Sequence, residues 1–177
     1  GLDPDHYVIF EHLGGSNEEQ QWANYRLNEG KGIMLWGKTN TPYYQLIMGY
    51  GSDSNFSAIG HESRGFQGKR LLGYFESHDE ERVMYKALQF GNDWDGYNIQ
   101  ELNTALSRMS AIGAMSLTIP GPKMIWHFSD LGMENSLFTC YDGSVNEPDC
   151  KLDTKPQPQW ADNWLENDNR REIYDNW

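Results

Sequence analysis

The run Leu71-Leu72-Gly73-Tyr74-Phe75-Glu76-Ser77-His78-Asp79-Glu80-Glu81-Arg82 changes character in mid-course. From Leu71 to Phe75 it is apolar and large enough in side chain to be a buried strand, and it then stops at His78 and Asp79. Two titratable groups therefore stand where the backbone leaves a sheet. Parallel-sheet enzymes keep their chemistry at that edge. Upstream, His6-Tyr7-Val8-Ile9-Phe10 has the same shape and ends at Glu11 and His12.

Working outward, a first strand is expected over 8–13, with Tyr7, Ile9 and Glu11 on one face by the period of two. Glu11 would then lie at the rim of a low-dielectric interior, which favours a protonated carboxyl. A helix is expected over 17–28, with Asn17 as cap, ended by Gly30 and Gly32. Ile33-Met34-Leu35-Trp36 reads as a second buried strand, and Thr41-Pro42 opens a helix to Tyr50. Residues 51–69 form a connection longer than usual, so it is either functional or mobile. Beyond the central run, helices are expected over 80–90 and 98–117, the second with Leu102, Leu106, Met109 and Gly113 on one face. Pro120-Gly121-Pro122 turns the chain into a fourth strand over 123–128, and loop then continues to a last helix over 163–177. Strands alternating with helices give an α/β architecture with parallel strands and right-handed crossovers.

A formal charge of -12 argues against nucleic acid or an anionic membrane surface as partner, because both select for Lys and Arg clusters. No apolar run reaches the length of a membrane-spanning helix, roughly 18 residues or more. The chain opens at Gly1 without Met and without a signal-like segment, which suggests a trimmed chain or an excised piece. Cys140 and Cys150 are the only cysteines and flank a loop with Gly143 and Pro148. A local disulfide and two reduced thiols are both compatible with that spacing.

Phe75-Glu76-Ser77-His78-Asp79 resembles the Phe-x-x-x-His-Asp signature on the seventh barrel strand of the α-amylase family of glycoside hydrolases. Tyr7-Val8-Ile9-Phe10-Glu11 is similar to that family's fifth strand, and Leu117 to Trp126, with Leu131-Gly132-Met133 after it, to the helix, Pro-Gly turn and eighth strand. The resemblance implies that residues 1–177 are part of a catalytic (β/α) barrel, strands five to eight of a TIM-type fold, lacking the first four strands. A whole barrel of this type needs about 250 residues. The family's aspartate nucleophile and its nearby arginine would lie in the missing half, since no Gly-x-Arg-x-Asp occurs here. Ser77 stands where many members have Asn, and Ser129-Asp130-Leu131-Gly132 replaces the Gly-Asp-Glu that often comes after the eighth strand.

Retaining glycosidases use two carboxyl groups around an oxocarbenium-like transition state. The resemblance gives the proton-donor role to Glu11, the transition-state-stabilising role to Asp79, and a hydrogen bond to the same sugar ring to His78. Spacing alone reads Glu11 as a strand-end carboxylate capping the following loop or bridging to a lysine, and Asp79 as the cap of a helix from Glu80. His12 is either a subsite contact or a loop residue. Trp36, Tyr43 and Tyr44 are either stacking platforms for pyranose rings or core aromatics. Glu80, Glu81 and Arg82 read as a solvated first helical turn, with Arg82 also within reach of a site carboxylate. No cofactor is expected in this chain; the calcium that many relatives bind uses residues of the missing half.

The expected ligand is an α-glucan or maltooligosaccharide, cleaved at α-1,4 bonds by the parent protein. A related branching or transglycosylating enzyme and an inactive glucan-binding half-barrel are the alternatives. A half-barrel with open strand edges would pair with its missing half or with a copy of itself. The glucan substrate and the two cysteines point to an extracellular or periplasmic home.

Overall fold

The structure, a computed structural model, describes residues 6–154 and 162–177. Its sheet has three parallel strands in the order of the sequence: β1 (Ile9–Phe10), β2 (Met34–Lys38) and β3 (Leu71–Tyr74). Leu35 is level with Phe10 on one side and Leu71 on the other, so Leu35 and Leu71 share a sheet face. That face packs on Ala23 of α1 (Ser16–Asn24) and on Phe66. The opposite face carries Ile9, Met34, Trp36, Leu72 and Tyr74, and Ile9 on it remains 42 % exposed.

Most of the core lies between helices. Tyr43 and Ile47 of α2 (Asn40–Met48), Val83, Met84 and Ala87 of α3 (Val83–Phe90), Leu106 of α4 (Leu102–Ser107) and Ile112 of α5 (Met109–Leu117) enclose Phe75, and Ile173 of α6 (Asp168–Asn176) closes the cluster. Every one of these side chains is almost wholly removed from water. Burial of an aliphatic or aromatic side chain of this size contributes about 1.5–3 kcal/mol. The helical layer therefore fixes β3 and residues 75–82 beyond it more firmly than it fixes β1.

The expected fourth strand shrinks to a single parallel bridge between Gly73 and Lys123. Gly73 N donates to Pro122 O at 2.9 Å and Met124 N to Gly73 O at 3.0 Å, after which the chain leaves the sheet. Pro120 and Pro122 have no N–H to give a ladder, and no further strand flanks this segment among the described residues. The loop expected before Asn163 falls partly on 155–161, outside the described residues.

The helix expected over 98–117 is two helices. Arg108 stands between α4 and α5, where backbone bonds tighten to Arg108 N–Ala105 O (3.1 Å) and Ala111 N–Arg108 O (3.0 Å). Its guanidinium reaches across to donate two hydrogen bonds, to Ile47 O at 2.8 Å and Leu46 O at 2.5 Å, covering carbonyls at the end of α2. Ahead of α4 a small hairpin pairs β4 (Asp93–Trp94) with β5 (Tyr97–Asn98). Its Asp95-Gly96 turn has φ of 50° and 82°, the mirror-image turn geometry that this dipeptide favours.

The connection 51–69 is fastened down. Arg64 donates to Ala58 O and Lys38 O, both at 2.9 Å, Asn24 spans Gly65 O and Gln67 N, and Phe66 is buried. It serves as packing for the outer face of the sheet.

Candidate functional site

Three parallel strands deliver their C-terminal residues to one edge. Glu11 comes directly after β1, Trp36 and Lys38 lie within β2, and His78 and Asp79 come after β3. Continuing the register past Phe10 and Leu35 puts Glu11 level with Trp36. β1 and β3 are two strands apart, about 9.6 Å at the backbone. Their side chains meet over β2 all the same: His78 Nε2 lies 3.5 Å from Glu11 Oε1 and 3.5 Å from Asp79 Oδ2.

Aromatic rings hold His78 on two sides. Trp36 meets it edge-on with centroids 5.7 Å apart, and Trp126, just past the bridge at Lys123, lies tilted at 6.1 Å. The other oxygen of Asp79, Oδ1, accepts from the ammonium of Lys151. That hydrogen bond, with His78, Lys151 and Lys38 as neighbouring charges, holds the Asp79 carboxyl below its ordinary range. Glu11 and His78 side chains are 38 % and 34 % exposed and Asp79 43 %, so the cluster sits on an open rim. Glu11 is thus less desolvated than its place in the strand pattern suggests, because among the described residues no strand covers β1 on its outer side.

One atom each of Glu11, His78 and Asp79 falls within 4.8 Å of the others, a span that would admit a cation. The Lys151 ammonium already fills that role at Asp79, and we assign no metal to the group. A cavity of about 700 Å³ lies elsewhere, against α2 and α3, lined by Tyr44, Met48, Lys86 and Phe90 among others. It holds none of the rim residues.

Arg82 is not at the rim. It is 4 % exposed and faces inward, where Nη1 donates to Glu76 Oε1 at 3.1 Å and to His127 O at 2.9 Å. Ser129 also donates to Glu76 Oε1, and Val83 N gives the second oxygen a 2.8 Å bond. Arg82 Nη2 lies 2.7 Å from His127 Nε2, which can only accept from a guanidinium and is therefore the unprotonated nitrogen. Burial, then the adjacent Arg82 charge, pushes His127 down to about 4.

Glu80 and Glu81 are buried too, correcting the expectation of a solvated turn. Glu80 accepts from Ser77 and lies 3.2 Å from Lys38 Nζ. Glu81 accepts from Ser136 Oγ at 2.5 Å and from Leu137 N at 3.0 Å. With those carboxylates turned inward, the helix begins at Val83, capped by Glu76; Asp79 does not cap it.

The remaining candidates divide by burial. Tyr43 is core, packed on Phe56 and Phe75 at centroid distances of 5.1 Å and 5.6 Å. Tyr44 donates its hydroxyl to Glu81 O at 2.8 Å. His12 faces Glu18 on α1 at 3.5 Å and stays apart from the cluster. Asn17 caps nothing, since Gly15 holds the cap position of α1. Cys140 and Cys150 are joined in a disulfide.

Two residues of the rim escape a reading of strand ends. Trp126 lies beyond a strand that barely forms, and Lys151 arrives from a loop 72 positions away from Asp79. The one signal for Lys151 is its place next to Cys150. No model of a known protein family matches the chain, and no curated protein sequence matches it.

Proposed function

We propose that this rim is half of an α-glucan site, the part of an α-amylase-like retaining glycoside hydrolase that supplies the proton donor and the transition-state stabiliser. The observation that carries the reading is the meeting of Glu11, His78 and Asp79 between Trp36 and Trp126 at the C-terminal edge of a parallel sheet. Strands in sequence order, with helical packing on one face and an exposed Ile9 on the other, support placement in a wider barrel. The Glu11 and Asp79 oxygens lie within 4.8 Å, close enough for both to reach one sugar ring.

The roles are assigned by partners. Asp79, ionised and tied to Lys151, is not a free nucleophile, but it can accept sugar hydroxyls and oppose developing positive charge. His78 can donate to the same ring. Glu11, without a lysine or arginine partner among the described residues, is the group able to carry a proton to a leaving oxygen. On this reading the parent's other half supplies the nucleophile that attacks the anomeric carbon. An oxidising home outside the cell or in the periplasm accords with the Cys140–Cys150 bridge.

Calorimetric titration with maltoheptaose, beside an assay with a chromogenic maltooligosaccharide, tests this. Wild type is expected to bind without hydrolysing, Glu11→Gln to bind about as well, and Asp79→Asn to lose roughly tenfold or more in affinity, the contribution of a charge-assisted hydrogen bond. Hydrolysis by wild type that vanishes in Glu11→Gln would place a nucleophile in this chain and defeat the half-site reading. Absence of binding would defeat the glucan reading itself.

A further inference from the structure

The segment that carries Lys151 is built to hold it still. Its near end is pinned by Glu81, buried at the foot of α3, which accepts from Ser136 and from Leu137 N. Its far end is fastened by Leu152 N donating to Leu137 O at 2.8 Å. Between them Thr139 and Val145 form an antiparallel bridge, Cys140 N donates to Ser144 O at 2.8 Å, and Cys150 N to Asn146 O at 3.0 Å. The Cys140–Cys150 bridge closes the same loop. Lys151 therefore stands between two tethered neighbours, Cys150 and Leu152.

An ordinary exposed lysine contributes little to an ion pair, because ordering its long side chain offsets the attraction. Tethering both neighbours fixes the origin of the side chain and removes part of that cost. The titratable groups near Asp79 are His78 beside it, Tyr74 from β3, Glu11 from β1, Lys38 from β2 and Lys151 from the loop. Lys38 is engaged with Glu80, so Lys151 is the cation committed to Asp79.

We propose that Lys151, delivered by the Cys140–Cys150 loop, is the positioning residue for Asp79, holding Oδ1 so that Oδ2 faces His78 and the ligand. The importance of that role for sugar binding rests on the α-glucan reading; the clamp itself does not. An ammonium has three donors, and Asp79 uses one. The other two are not taken up by a protein acceptor among the described residues and are able to donate to a sugar hydroxyl that also reaches Asp79. The loop thereby joins a surface disulfide to the chemistry without any redox step.

The test is the titration of the Asp79 carboxyl carbon, followed by NMR in the whole chain. In wild type its midpoint is expected below the usual carboxylate range. Lys151→Met should raise it and Lys151→Arg should keep it low. The double variant Cys140→Ser/Cys150→Ser should raise it while circular dichroism stays that of wild type. A midpoint unmoved by Lys151→Met would overturn the clamp, and one unmoved in the double serine variant would overturn its delivery by the loop. Selective rescue by arginine is the outcome a merely structural lysine would not give. Maltoheptaose binding, measured on the same samples, judges the sugar reading separately, because the titration needs no sugar.

Discussion

At the level of single residues, the chain places like side chains in opposite circumstances within a few positions. Glu76, Glu80 and Glu81 are buried and each is partnered, while Asp79 between them stays at the rim. Burial without partners would cost several kcal/mol per charge, so the partners are what make this arrangement stable. His127 is part of the same network. Its folded-state value near 4 lies below the 6.5 of an unperturbed imidazole. As pH falls below about 6.5 the unfolded chain takes up this proton while the folded chain refuses it until about 4. The stability that His127 contributes is therefore complete above the upper value and is lost progressively through that window. Urea unfolding at intervals from pH 7.5 to 4.5, in wild type and in His127→Gln, isolates the effect from the carboxylates. The wild-type midpoint should fall more steeply on acidification than that of the variant; parallel curves would show that His127 titrates normally.

At the level of elements, the parts that could be read from the sequence are those governed by local pattern. Leu71 to Tyr74 is apolar and becomes β3; Pro42 opens α2 near its first turn. The parts that could not be read depended on distant partners. Val83 starts α3 because Glu76 turns back to meet its N–H, and Arg108 divides α4 from α5 while reaching the carbonyls of α2. The hairpin is a different case. Asp95-Gly96 between Trp94 and Tyr97 is a strong local signal, but strands this short are overrun by the helical pattern beyond them. The turn offers a clean test. A Cβ at Gly96 would meet nothing within 4 Å, so only its φ of 82° resists substitution. Gly96→Val should cost about 1–2 kcal/mol, the penalty of a left-handed backbone for a residue with a Cβ, read as a lowered midpoint in urea. A neutral result would mean that the turn relaxes to another type.

At the level of the whole molecule, the meeting of Glu11, Trp36, His78 and Asp79 was legible because parallel strands bring their C-terminal residues to one edge, whereas Lys151 was not, and the openness of that edge was legible only as a shortage of strands. The sheet leaves β1 with one paired side: Val8 O accepts from Met34 N at 2.9 Å, and no strand lies on its other side among the described residues. Tyr7 is 81 % exposed there, and Ile9, Phe10 and Leu13 are exposed with it. An apolar edge strand with free N–H and C=O groups is a template for another chain. A net charge of -12 opposes association between copies, but that repulsion is screened over about 8 Å at physiological ionic strength. The isolated chain is therefore expected to associate, more so as salt rises. Sedimentation velocity at increasing concentration, in 0.05 M and 0.5 M salt, should show a growing sedimentation coefficient at the higher salt. Placing a charge on the edge, as Ile9→Lys or Phe10→Lys, should return the chain to monomer, since lysine is how natural edge strands discourage pairing. A wild-type monomer at every concentration and salt would mean that the edge is protected, and would remove the open sheet as an argument for a missing half.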